Sequence, residues 1–167
     1  MEKGKNGNIV FVPATVMDLH KIVYMWIKMR EEFSDPVESL LDRDQREVEF
    51  FYRSLMLKVT DERFKNGNIV IIAFYKTEPI GFGLADVQVL DNSSHWLGYC
   101  REIYVKEKFR KRGIEIEIRR TLIEELKKRK VSKILYVVEY NDKIIESYQK
   151  KGFVPIKITF IKEESDG

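Results

Sequence analysis

The fold is decided by the stretch Glu102-Ile-Tyr-Val-Lys-Glu-Lys-Phe-Arg-Lys-Arg-Gly113. An apolar-rich run, Trp96 to Val105, predicts a strand that ends at a basic loop, and a helical pattern follows Gly113. A helix that begins there points its unsatisfied backbone N–H groups and the positive end of its dipole at one spot. Arg110 to Arg112 add full positive charges around that spot. The sequence therefore predicts an anion pocket, and a phosphate-bearing cofactor is its natural occupant.

The composition is typical of one soluble, globular domain. The chain has 167 residues, 44% of them hydrophobic and 34% charged, which is enough for a sizeable core. Its 30 Lys and Arg nearly balance its 27 Asp and Glu, so net charge does not indicate nucleic acid as a partner. One cysteine excludes an internal disulfide, and two histidines make a His-rich metal site improbable. With no run of about 18 apolar residues and no signal-peptide pattern, we expect a cytoplasmic protein that does not enter a membrane.

Periodicity predicts the remaining elements. Helices are expected from Thr15, as an N-cap with Asp18 three residues on, to about residue 32, then over residues 38–59, from Gly113 onward and over 141–151. Strands are expected over residues 8–12, 69–75, 80–90, 96–105, 133–139 and 153–161. Residues 114–118 alternate like a strand, but the helical spacing of Ile118, Leu122 and Leu126 favours a helix.

With this order of elements, two motifs in the chain resemble signatures of the GNAT superfamily of N-acetyltransferases. Arg110 to Gly113 match the loop motif Gln/Arg-x-x-Gly-x-Gly/Ala, and Asn141, Tyr148, Gly152 and Phe153 match Asn-x6-Tyr-x3-Gly-Phe. The resemblance covers nearly the whole chain. It implies an α/β fold of three layers, with a mixed, mostly antiparallel sheet of about six to seven strands flanked by about four helices. It also implies a single domain over residues 1–167, with residues 1–7 and 163–167 as loose ends.

One residue departs from the loop motif. Glu115 stands at its last position, where the family has Gly or Ala. A carboxylate in the first turn suits the helix dipole but competes with a phosphate for the same N–H groups. Arg119, one turn further on, can draw Glu115 aside. We therefore expect cofactor binding to survive with reduced affinity.

The resemblance implies acetyl-CoA or a related acyl-CoA as co-substrate, and no metal. The diphosphate would rest on the backbone N–H groups from Lys111 to Glu115. The pantetheine arm would run beside the fourth strand and touch Asn141, because an extended amide chain can pair with a strand edge. The implied cofactor-binding residues are Ile103, Tyr104, Val105, Arg110, Lys111, Arg112, Gly113, Ile114, Glu115, Asn141 and Tyr148.

Two catalytic residues are implied by the same resemblance. Glu102 is the candidate base that deprotonates the amine, directly or through water, and Tyr148 is the candidate acid that protonates the departing thiolate. Backbone N–H near Ile103 would serve the oxyanion. Plainer interpretations stand beside these: Glu102 as a surface carboxylate paired with Arg101 or a lysine, and Tyr148 as a packing aromatic. Cys100 could act as a nucleophile, but a single cysteine on a strand more often packs in the core.

Only the distribution of charged residues gives information about the acceptor. Acidic residues are dense between positions 31 and 44, which favours a cationic small-molecule or peptide amine; they are Glu31, Glu32, Asp35, Glu38, Asp42 and Asp44. The sequence thus predicts an N-acetyltransferase acting by direct attack in a ternary complex, and the family's habit of dimerising allows a homodimer.

Two other functions remain open. The first is a catalytically silent acyl-CoA sensor or regulator, which Glu115 favours. The second is a nucleic-acid-binding module, built on the five basic residues between positions 106 and 112 with Phe109 among them. The near-neutral net charge speaks against the second.

Overall fold

The computed structural model describes residues 8–32, 45–89, 96–136, 145, 146, 149, 150, 152 and 154. The chain divides into two compact units, Met1–Tyr136 and Val137–Gly167. The strands of the first unit are β1 (Ile9–Pro13), β2 (Asn68–Tyr75), β3 (Glu78–Val89), β4 (Trp96–Val105) and β5 (Lys133–Tyr136). Its helices are α1 (Leu19–Glu32), α2 (Gln45–Thr60), the single turn α3 (Glu62–Lys65) and α4 (Ile114–Lys128).

The five strands form one sheet in the order β1-β2-β3-β4-β5. Neighbours are antiparallel except β4 and β5, which run parallel because α4 connects them. The predicted mixed, mostly antiparallel α/β sheet is confirmed. The described residues hold five strands where about six to seven were expected, and the strand predicted over 153–161 and most of the helix predicted over 141–151 lie outside them. Within the described ranges, none of the helices has the length and apolar content to span a bilayer.

The alternation of β2 builds a core on each face of the sheet. Ile69, Ile71 and Ala73 pack with α4 in the α4-side core, whereas Val70 and Ile72 pack with α1 and α2 in the α1–α2 core. Helix α4 buries a stripe four residues apart, Ile114, Ile118, Leu122 and Leu126. Residues 114–118 are therefore helical, as their spacing with the later apolar residues predicted.

Helix α4 lies so close to the sheet that side chains are excluded beneath it. A Cβ added at Gly83 would stand 2.5 Å from Cγ2 of Ile118, and one at Gly98 would stand 2.9 Å from both Cδ atoms of Leu126. The glycines of β3 and β4 thus allow the close approach. This packing fixes where the N-terminus of α4 meets the end of β4.

The start of the first helical segment follows the sequence prediction. The carboxylate of Asp18 accepts hydrogen bonds from the backbone N–H of Thr15 at 3.0 Å and from its hydroxyl at 2.7 Å. Lys21 donates to the other carboxylate oxygen at 2.9 Å. Burial alone would raise the pKa of Asp18, but the hydrogen bonds from Lys21 and Thr15 outweigh it and lower that pKa.

One turn is tighter than predicted. Residues 76–79 were expected to turn the chain, but β3 already begins at Glu78, so the hairpin has a two-residue loop, Lys76-Thr77. Lys76 takes a φ of 55°, as such loops require. Pro79 is accommodated within β3 because the register with β2 shifts between Ala73 and Phe74 at that point.

Candidate functional site

The loop after β4 is bent by two residues in the left-handed region. After β4, the turn Glu107–Phe109 buries the ring of Phe109 in the α4-side core. Lys111 then has a φ of 61° and Gly113 a φ of 76°. The left-handed region is disfavoured for a residue with a side chain, so the conformation of Lys111 needs support from its surroundings. The bend delivers the chain directly into α4.

The N-terminus of α4 presents backbone donors. The first intrahelical bond runs from the N–H of Glu117 to the carbonyl of Gly113 at 3.1 Å. The N–H groups of residues 114–116 therefore have no acceptor within the helix. Gly113 has no side chain that could cap them, and apart from its two chain neighbours no described residue has an atom within 4 Å of a Cβ built on it. Donors, dipole and open space together make this turn a candidate anion site.

Glu115 does not block that site in the way its charge suggests. Its carboxylate forms an ion pair with Arg119 one turn further along α4, as the sequence predicted. Lys111 and Arg112 are both exposed, and the guanidinium of Arg112 lies 5.4 Å from the ring centre of Phe109. Positive charge thus remains beside the N-terminus of α4.

Arg110 differs from its two neighbours because its guanidinium binds the protein itself. Nε donates to the carbonyl of Val105 at 2.9 Å, and Nη2 forms an ion pair with Glu32 at the end of α1. The group also lies 5.6 Å from the ring centre of Tyr104. The sequence assigned Arg110 to the anion pocket, and nothing local in the sequence indicated Glu32 as its partner.

Glu32 and Tyr104 complete that arrangement. The buried hydroxyl of Tyr104 donates to the second carboxylate oxygen of Glu32 at 2.9 Å. Burial, with the hydrogen bond to Glu32, raises the pKa of Tyr104 to about 12. Burial would raise the pKa of Glu32, but the hydrogen bonds from Arg110 and Tyr104 lower it on balance. Glu32 is thus held ionised and Tyr104 protonated at neutral pH.

Glu102 lies beside an irregularity in β4. The register passes from Leu84↔Glu102 to Ala85↔Cys100, so Arg101 is the extra residue of a β-bulge. Glu102 is half-buried, one of its carboxylate oxygens is inaccessible to solvent, and its cross-strand partner Leu84 belongs to the α1–α2 core. Arg101 binds both oxygens of Asp86, at 2.6 and 3.1 Å. The alternative that Arg101 neutralises Glu102 therefore loses its support.

The structure describes most of the other predicted site residues, and two of them lie outside the described ranges. Tyr104, Val105 and Ile114 are buried, and Ile103 is half-buried and packs on the α4-side core. Cys100 is buried in the same core, which favours packing over a nucleophilic role. Asn141 and Tyr148 lie outside the described residues. Across the described ranges, no three His, Cys, Asp or Glu side chains come together as a metal site would require.

The region predicted to face the acceptor is described only in part. A cavity of about 440 Å³ lies between α1 and α2, lined by His20, Val23, Tyr24, Ile27, Gln45, Val48, Glu49 and Tyr52. Of the acidic residues between positions 31 and 44, Glu31 pairs with Lys28 and Glu32 with Arg110. The remaining four lie outside the described residues.

Comparisons with known proteins agree with this architecture. A family model described as the acetyltransferase (GNAT) family matches residues 26–153. The BH1408 protein of Bacillus halodurans, solved as a tetramutant, is 18% identical with a TM-score of 0.71, covering 93% of this chain and 99% of that one. An aminoglycoside acetyltransferase, meta-AAC0020 from an uncultured soil sample, is 12% identical with a TM-score of 0.66, covering 96% and 99%.

A further structure of similar fold is described with a different function. It is described as a transcriptional regulator from Bacillus halodurans C-125 and is 18% identical, with a TM-score of 0.65, covering 91% of this chain and 99% of that one. At such identities the structural likeness shows the fold alone. A search of the curated proteins found no match.

Proposed function

This chain belongs to the acetyltransferase (GNAT) family, and on that premise we propose that it transfers an acetyl group from acetyl-CoA to a primary, cationic amine by direct attack in a ternary complex. The observation that carries the proposal is the bend at Lys111 and Gly113, which leads from the end of β4 into the donor-rich N-terminus of α4. A diphosphate fits there because several N–H groups and the helix dipole converge on it. Residues Lys111 to Glu115 supply those amides, and the side chains of Lys111 and Arg112 add charge.

The backbone of β4 is the proposed track for the pantetheine arm. Ile103 and Val105 would pair with its amides as a neighbouring strand would, with Tyr104 between them. The carbonyl of Val105 accepts from Arg110 at 2.9 Å, and a carbonyl oxygen has a second lone pair for another donor. In the described residues, β5 pairs with β4 only from Leu97 to Cys100. Asn141 is proposed to touch the arm further along.

Glu102 is the proposed general base. A lysine-type amine has an ordinary pKa of about 10.4, so it must lose a proton before its lone pair can attack the thioester carbonyl. Glu102 would accept that proton, directly or through one water, from the side of β4 that faces α1 and α2. The N–H of Ile103 would donate to the oxyanion of the tetrahedral intermediate. When that intermediate collapses, the C–S bond breaks and Tyr148 would protonate the thiolate.

Turnover with a panel of amines tests the proposal. The purified protein is mixed with acetyl-CoA and a polyamine, a lysine-containing peptide, an aminoglycoside or a neutral amine, and free thiol and acetylated product are measured. We expect thiol release with a cationic amine, decreasing as ionic strength rises because charge attraction is screened. Equal turnover of neutral and cationic amines at every ionic strength would contradict the proposal that the acceptor is cationic. Calorimetry that finds no heat for CoA would overturn the proposal as a whole.

A silent acyl-CoA sensor or regulator is the second candidate. It is favoured by Glu115 at the last position of the loop motif, and one protein of similar fold is described as a transcriptional regulator. The ion pair of Glu115 with Arg119 weakens the first argument. Tight binding of CoA without thiol release for any amine would favour the sensor.

Gel filtration of the same sample tests the proposed homodimer.

A further inference from the structure

We propose that Arg110 is a positioning residue of the cofactor loop, held in place by Glu32 and Tyr104, and that it does not bind the diphosphate. The inference rests on the proposed function, because it concerns the site that would hold CoA. It departs from the expectation drawn from the sequence, in which Arg110 contributed its charge to the anion pocket alongside Lys111 and Arg112.

The contacts of the guanidinium carry the argument. Its Nε donates to the carbonyl of Val105, the last residue of β4, and its Nη2 binds one carboxylate oxygen of Glu32. The other carboxylate oxygen accepts from the hydroxyl of Tyr104 at 2.9 Å. Both oxygens of Glu32 are therefore engaged, one by a donor from the end of β4 and the other by a donor from the loop. A guanidinium fixed at two edges of its planar fork has a defined orientation.

This arrangement braces the bend that makes the anion site. Arg110 directly precedes Lys111, whose φ of 61° is unfavourable for a residue with a side chain. The side chain of Arg110 reaches back from the bend to the end of β4 and so closes residues 105–110 into a short loop. Since the amides of the next residues are the proposed phosphate donors, fixing Arg110 fixes their direction.

The ion pair also connects two separate parts of the fold. Glu32 is the last residue of α1, and it lies 78 residues before Arg110 in sequence. Tyr104 is anchored in the core between the sheet and α1, where its ring lies 6.0 Å from that of Phe82. The pKa of Glu32 is lowered by its partners, so the ion pair is intact at neutral pH. A substitution of Glu32 should therefore change the affinity for CoA.

Calorimetry with CoA distinguishes positioning from direct binding by the sign of the effect. For Glu32→Gln we expect the Kd for CoA to rise about tenfold, as the loss of one hydrogen bond to a charged group implies. The KM for acetyl-CoA should rise with it while kcat changes little. If Arg110 were a phosphate ligand restrained by Glu32, the same variant would release it and CoA would bind more tightly.

Two companion variants sharpen the test. Arg110→Lys keeps the charge but cannot donate to Val105 and Glu32 from a planar fork, so we expect it to weaken CoA binding as Glu32→Gln does. Near-normal binding by this variant would instead indicate a charge acting on the phosphates. Glu31→Gln is the matched control, since it removes the same charge one position earlier, where the partner is Lys28; its Kd for CoA should equal that of the wild type.

The outcomes separate this inference from the proposed function. If the wild type binds CoA and Glu32→Gln binds it equally or more tightly, the positioning role is wrong and the proposed function stands. If the wild type binds no CoA, both are overturned. Should Glu32→Gln fail to fold, Tyr104→Phe provides the same test, because it deletes only the hydroxyl that orients Glu32. That variant should raise the Kd for CoA several-fold, and an unchanged value would overturn the inference.

Discussion

Two glutamates on the α1–α2 side of the sheet differ in the contacts that surround their carboxylates. Glu32 binds Arg110 and Tyr104, and these hydrogen bonds lower its pKa, which makes it a poor proton acceptor for an amine. Glu102 lies beside the β-bulge of β4, with one oxygen inaccessible to solvent. Bulges often re-aim side chains next to active sites. The described contacts therefore give Glu32 a structural role, and Glu102 stays the proposed base.

Glu102→Gln tests that assignment. The amide cannot accept the proton of the amine, so kcat should fall by about 10²-fold or more, the usual contribution of general base catalysis. The Kd for CoA should stay within about twofold of the wild type, because Glu102 lies on β4 and not among residues 111–115, whose amides are the proposed phosphate donors. Thiol release and calorimetry measure the two quantities. Turnover that is unchanged at every pH would show that another group or bulk water takes the proton.

Asp18→Asn tests the electrostatics of the first helical turn. The folded pKa of Asp18 lies below its ordinary value, so its stabilisation is fully present above about pH 4 and is lost as the pH falls through the folded pKa. We expect the variant to be less stable than the wild type by about 1 kcal/mol at pH 7. The difference should shrink toward zero once the pH falls below the folded pKa of Asp18. Urea denaturation at several pH values measures it, and a constant difference would contradict the prediction.

The strands and helices around the loop could be predicted from the sequence because local sequence signals mark where they begin and end. The strand Trp96–Val105 was predicted to the residue, since a loop rich in charge follows it. The start of β3 was predicted two residues late, because Pro79 is typical of turns and the register shift that accommodates it arises only when β3 pairs with β2. The pairing of Glu32 with Arg110 could not be foreseen, because it depends on how α1 crosses the sheet and has no sequence signal.

Two glycine substitutions separate packing from loop conformation. Gly98→Ala places a methyl group 2.9 Å from Leu126 beneath the C-terminal half of α4, so it should cost about 1 kcal/mol of stability through overpacking. Gly113→Ala meets no atom within 4 Å, and its cost of about 1 kcal/mol comes from the positive φ. Only Gly113→Ala should weaken CoA binding, because only that residue shapes the anion site. Chemical denaturation and calorimetry test both, and equal losses of affinity would contradict the distinction.

Glu115→Ala tests whether the departure from the loop motif weakens the site. The carboxylate is paired with Arg119, so its repulsion of a diphosphate is reduced but not abolished. We expect the Kd for CoA to fall by about two- to fivefold at low salt, with a smaller gain at 0.5 M salt because screening removes most of the repulsion. Arg119 remains as a cation on α4. Weaker binding by this variant would show that Glu115 supports the loop.

At the level of the whole molecule, the basic segment carries less available charge than the sequence suggests. Lys106 and Lys108 both contact the carboxylate of Glu78, at 3.3 and 2.8 Å, and the hydrogen bond from Lys108 is the main cause of the lowered pKa of Glu78. Arg110 is paired with Glu32. Three of the five basic side chains between positions 106 and 112 therefore have carboxylate partners. This segment suits one small anion at the N-terminus of α4 better than a long phosphate backbone.

Competition between ligands tests this distribution of charge. A polyanionic backbone gains affinity from each phosphate that a cation neutralises, and binding that uses several contacts falls by orders of magnitude between about 50 and 200 mM salt. We expect no retention on a single- or double-stranded nucleic-acid column at 100 mM salt. CoA at about 100 times its Kd should stabilise the protein by about 2.7 kcal/mol, measured as a rise in the thermal midpoint. Retention that CoA displaces would instead show that one patch serves both ligands, because the exposed Lys111 and Arg112 are the cations both would share.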